Sequence, residues 1–99
     1  MAIVHALIVK GKAEAIANPD LFASKVIAGF ATVDIVKSVR AGYSINGAEQ
    51  HKGYNFTLLL EFEDEAALKT YLEAPELKAK KAEFLDPLVE DIIIIDFKY

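Results

Sequence analysis

Two stretches of this chain are apolar almost without a break: Ala2 to Val9, interrupted by His5, and Ile92 to Ile95. Both are short and rich in β-branched residues, so they read as strands. A strand with one face in water alternates apolar and polar side chains. These two do not, so both faces of each must be covered. A chain of 99 residues makes one domain, with few elements to spare for covering both sides of a sheet. A second copy of the same chain is the simplest cover. Composition points the same way, because 54% of the residues are hydrophobic against a usual ~45–50%.

The formal net charge is −4 at pH 7. Lys78, Lys80 and Lys81 cluster, but Glu76 and Glu83 flank them, which fits a solvated helix face rather than a nucleic-acid patch. No aromatic residues interleave with basic ones as base-stacking platforms would need. The chain has no cysteine, which excludes disulfides and thiolate metal sites. The N-terminus lacks the pattern of a secretory signal, and no apolar stretch approaches the ~20 residues of a membrane span. The expectation is a cytoplasmic protein with neither nucleic acid nor membrane as partner.

Along the chain, the first strand runs from Ile3 to about Val9. Asn18-Pro19-Asp20 reads as a helix start, and Phe22, Val26 and Phe30 fall four apart as its apolar stripe. A second strand fits Ile35 to Ile45, with Val39, Ala41 and Tyr43 on one face and Ser38 and Arg40 on the other. Asn46 to Gly53 is a polar loop. Tyr54 to Phe62 is a third strand with Phe56, Leu58, Leu60 and Phe62 on one face and Thr57, Leu59 and Glu61 on the other. Asp64 can cap a helix from Glu65 to about Glu73, which Ala74-Pro75 interrupts. Pro75 opens a further helix, ended by Pro87, and Ile92 to about Lys98 is the last strand. The order β-α-β-β-α-β predicts a ferredoxin-like α+β fold with an antiparallel sheet and helices on one face. The other face, with Val4, Ala6, Ile8 and one pair of the terminal isoleucines, is the expected contact with a second copy.

His5 is the clue to chemistry inside the apolar runs. It lies in phase with Ile3, Leu7 and Val9, toward the helices, where an imidazole can act as acid, base or hydrogen-bonding group. A core histidine tied to a carbonyl or a tyrosine accounts for it equally well. Glu63, Asp64 and Glu65 coincide with a helix start, where carboxylates favour the helix dipole, so no metal is expected there. No phosphate loop, nucleophile elbow or paired-histidine metal motif is present.

Four landmarks resemble the stress-responsive α/β-barrel domain family, the dimeric α+β barrel proteins, over nearly the whole chain. They are the early strand centred on His5, Gly53-Tyr54 before the third strand, Phe62-Glu63-Asp64-Glu65-Ala66-Ala67-Leu68 followed by Tyr71 and Ala74-Pro75, and the terminal Ile-Ile-Ile-Asp-Phe. The resemblance implies a homodimer whose two sheets pack face to face. The family includes polyketide cyclases of the olivetolic acid cyclase type, whose pocket lies between sheet and helices. His5 and Tyr71 match two pocket positions of that type. Phe56 and Leu77 stand where that type has histidines. Two functions stay open. One is a cofactor-independent cyclase or related acid–base enzyme, with His5 and Tyr71 catalytic and an aromatic or polyketide-like ligand lined by Phe22, Phe30, Phe56, Leu77 and Phe84. The other is a non-catalytic stress-associated or scaffold protein whose pocket is filled by its own side chains.

Overall fold

The computed structural model describes residues 2–12, 19–84 and 89–99, excluding the side chains of residues 19–22, 76, 77, 80, 81 and 84. The elements are β1 (Ile3–Gly11), α1 (Pro19–Ala31), β2 (Ser38–Tyr43), the one-turn α2 (Ala48–His51), β3 (Phe56–Phe62), α3 (Glu65–Glu73), α4 (Pro75–Phe84) and β4 (Val89–Lys98). Asn18, read above as a helix cap, lies outside the described residues. The four strands form one antiparallel sheet in the order β2-β3-β1-β4. This is the ferredoxin-like arrangement, in which each helical connection carries the chain past one strand.

Local chemistry explains the elements that border the site. The Asp64 carboxylate accepts a hydrogen bond from the Ala67 amide at 2.8 Å, supplying one of the partners that the first turn of α3 lacks. α3 stops at Ala74, whose extended backbone is what a residue before proline prefers, and α4 restarts at Pro75. α3 is therefore short. β2 is shorter than the apolar pattern suggested. Val36 closes a turn onto Val33, the Lys37 amide donates to the Glu61 carbonyl at 2.8 Å, and the ladder with β3 runs from Ser38. The polar loop also holds one helical turn, α2, which no periodicity could announce at four residues.

Strand alternation divides the sheet into two unlike faces. Toward the helices point Ile3, Leu7 and Val9 of β1 with Phe56, Leu58, Leu60 and Phe62 of β3. These join Val26, Phe30 and Tyr71 in the hydrophobic core. α1 packs mainly over β2, while α3 stands over β1 and β3. β4 packs chiefly on β1, and its helix-side Ile94 remains 50% exposed. On the opposite face, Val4 and Ala6 are buried by their strand neighbours, but Ile93, Ile95 and Phe97 stay between 41% and 50% exposed. Arg40 and Glu61 share this open face, where Glu61 accepts a hydrogen bond from the Tyr99 hydroxyl at 2.6 Å.

Candidate active site

His5 is buried at 3% exposure, in the middle of β1. A buried imidazole without partners would carry a large desolvation cost. Its partner is Asp96 on β4, directly opposite in the β1–β4 ladder. His5 Nδ1 and Asp96 Oδ1 are 2.5 Å apart. A carboxylate only accepts, so Nδ1–H is the donor and Nε2 of the neutral ring becomes the acceptor. Nε2 has no protein partner among the described residues. The Asp96 side chain is 38% exposed, so it keeps contact with solvent while holding the buried ring.

Tyr71 reaches the same place from α3. Its ring meets that of His5 edge-on, with centroids 5.7 Å apart, and packs on Phe62 at 5.0 Å. Burial pushes the Tyr71 hydroxyl up to about 12, so it stays protonated and able to donate at any physiological pH.

Beside this group runs a groove of about 500 Å³ between α3 and the edge strand β4. Leu68 and Leu72 form one wall, the Asp96–Lys98 end of β4 the other, and Asp96 opens into it. Leu72 is 45% exposed, an apolar surface that water covers unfavourably. The volume is within the roughly 300–1,000 Å³ of small-molecule sites. Glu65, Lys69 and Lys98 supply the charges along its rim.

The residues singled out in the sequence divide accordingly. His5 and Tyr71 are neighbours. Phe30 and Phe56 are both 1% exposed and belong to the packed core. Phe56 sits opposite Val9 and His5 opposite Leu60, four residues or roughly 13 Å along the strand. Phe22, Leu77 and Phe84 lie on α1 and α4, with side chains outside the described set. His51 serves the loop: its Nδ1 accepts a hydrogen bond from the Gly53 amide at 3.0 Å. Sequence reasoning missed Asp96 and the groove-lining Leu68 and Leu72. The available signal was alternation in β4, which puts Asp96 in phase with Ile92 and Ile94. Among the described residues, no three His, Cys, Asp or Glu side chains gather as a metal site. No described helix is long and apolar enough to cross a membrane.

Comparison with known proteins gives the frame for this geometry. The stress-responsive A/B barrel domain family matches residues 3–99. No curated protein matches the chain. A Dabb-family protein of ferredoxin-like fold from Mesorhizobium loti is similar over 99% of this chain and 96% of its own, with 22% identity and a TM-score of 0.79. A dimeric ferredoxin-like protein from Jannaschia matches over the full length of both chains, with 16% identity and a TM-score of 0.74. A hydroxynitrile lyase from Passiflora edulis matches over 97% of this chain and 91% of its own, with 16% identity and a TM-score of 0.73. At these identities the likeness is one of fold.

Proposed function

The chain belongs to the stress-responsive A/B barrel domain family, and from that premise we propose that it is a homodimeric, cofactor-independent acid–base enzyme acting on a hydrophobic, aromatic or polyketide-like ligand. The observation that carries this is the His5–Asp96 pair, with Tyr71 against it, beside an apolar groove. A carboxylate that fixes Nδ1 leaves Nε2 free to take a proton, and steadies the imidazolium that results. On a ligand with a carbonyl in the groove, Nε2 takes a proton from the adjacent carbon. The electron pair moves to the carbonyl oxygen, which the Tyr71 hydroxyl stabilises by donating a hydrogen bond. His5 then returns the proton to carbon or oxygen. Apolar walls exclude water and orient the ligand. The hydroxynitrile lyase of the same fold is in keeping with a catalytic use of this scaffold.

A second copy covers the open sheet face in this account. The half-exposed Ile93, Ile95 and Phe97 motivate it, and the Jannaschia neighbour is described as dimeric. Ala6→Asp places an unpaired charge in that interface and yields monomeric or insoluble protein by sedimentation. A wild-type chain that sediments as a monomer at micromolar concentration contradicts the dimer.

The enzymatic test uses 2-acetylnaphthalene, an apolar aryl ketone, in D₂O. Wild-type protein exchanges the methyl protons for deuterium faster than buffer, and His5→Gln loses the acceleration. A wild-type rate equal to buffer, with no binding of the ketone, returns the protein to the rival function of a non-catalytic scaffold. The specific observation favouring that rival is that Phe30 and Phe56, two of the five expected lining residues, are 1% exposed and part of the packed core.

A further inference from the structure

Two acidic and two basic side chains line the groove, Glu65 and Asp96 with Lys69 and Lys98, and their pairing leaves Lys69 apart. Asp96 is engaged by His5. Lys98 Nζ donates to Glu65 Oε1 at 2.9 Å, a bridge across the groove from β4 to α3. Lys69 has no ion-pair partner among the described residues. Glu65 lies four residues before Lys69 on α3, the spacing and order that favour a helical Glu–Lys pair. It is drawn to Lys98 instead. The wall made by Leu68 and Leu72 therefore carries an unpaired ammonium at its edge.

The bridge itself is weak. The Lys98 and Glu65 side chains are 56% and 70% exposed, and an ion pair in that much water contributes little. A carboxylate arriving with a ligand can replace Glu65 on Lys98 at small cost, while Lys69 meets it from the helix side. Both lysine stems are long enough to lie along apolar surface and keep their ammonium groups at the rim. The opposing charge in the groove is Asp96, which is more shielded, at 38%, and already hydrogen-bonded.

Resting on the ligand groove proposed above, we infer that its ligand is an organic acid: an apolar body against Leu68 and Leu72, with a carboxylate held by Lys69 and, in exchange for Glu65, by Lys98. Lys69 is then a specificity-determining residue. It selects the ionised acid over a neutral molecule of the same shape.

The test compares 2-naphthoate with 2-acetylnaphthalene, its neutral near-isostere, by calorimetric titration of the full chain. Wild-type protein binds the acid more tightly, by about fivefold, the upper range for an exposed ion pair. Added salt weakens the acid and leaves the ketone unchanged. Lys69→Glu removes the preference, and Lys69→Arg retains it. Glu65→Gln frees Lys98 and tightens the acid alone. Both positions are exposed on α3, and thermal melts verify that each variant is folded. Ketone binding with no preference for the acid, or a preference untouched by Lys69→Glu and Glu65→Gln, overturns the inference and leaves the groove standing. If neither compound binds, the groove and this inference fall together.

Discussion

The helix-facing side of β1 has two ends that differ in kind. At one end Val9 lies opposite Phe56, and Leu7 opposite Leu58, with exposures of 2% or less, and the Tyr43 ring closes on Phe56 edge-on at 4.9 Å. At the other end stands His5, held by a carboxylate from the edge strand, beneath a helix of nine residues. Cover runs out there: Leu72 on α3 is 45% exposed and the groove opens between α3 and β4. The difference teaches where each cost is met. At the Phe56 end packed side chains close the face. The buried imidazole sits where a partly solvated Asp96 satisfies it without itself being fully buried. A closed core and a reactive pair thus share one strand, separated by about two pleats.

The comparison breaks most visibly at the packed end. Phe56→Ala removes a fully buried ring and should cost about 3–5 kcal/mol in chemical denaturation. Proton exchange on 2-acetylnaphthalene, measured on the folded fraction, should stay near wild type. A loss there as deep as that of His5→Gln would mean that the two ends are not separate. His5→Gln should lower the exchange rate by about 100-fold, the usual loss of a general base, while leaving the core end intact in thermal melts. Asp96→Asn keeps the shape but exchanges a charged hydrogen bond for a neutral one. A loss of about 1.5 kcal/mol, or roughly tenfold in rate, is expected.

The smallest effect is alkaline. Tyr71 ionises at about 12 in the folded chain, against an ordinary 10.0 when unfolded. The unfolded chain therefore loses this proton first. The contribution is whole below pH 10 and is lost as pH rises from 10 toward 12. Tyr71→Phe should flatten part of the stability decline in that window, as read by denaturation at stepped pH. An unchanged slope would place the Tyr71 hydroxyl in water.

Much of this fold was legible because its signals are local. Proline, the Asp64 cap and strand alternation need no knowledge of distant residues, and they located β1, β3, β4, α1 and the break between α3 and α4. The faces of β2 and β3 were legible for the same reason. The site was harder. His5 declares itself as the polar residue in an apolar strand, but its partner depends on the β1–β4 register. That register joins residues 91 positions apart, and sequence pattern does not fix it. Asp96 therefore read as the tail of an isoleucine run. The groove beside α3 was not legible because α1 packs over β2 and α3 over β1 and β3, and the bare flank of β4 follows from that offset rather than from any motif.

The most direct measurement is the imidazole nitrogen spectrum of His5, followed as 2-acetylnaphthalene is added to the wild-type protein. The account predicts a protonated Nδ1 throughout and an Nε2 resonance that shifts saturably with ligand. The Leu68 and Leu72 methyls move in step, and those of Val9 and Leu58 stay fixed. Saturable binding that leaves Nε2 at its free position while the Val9 and Leu58 methyls move would contradict it.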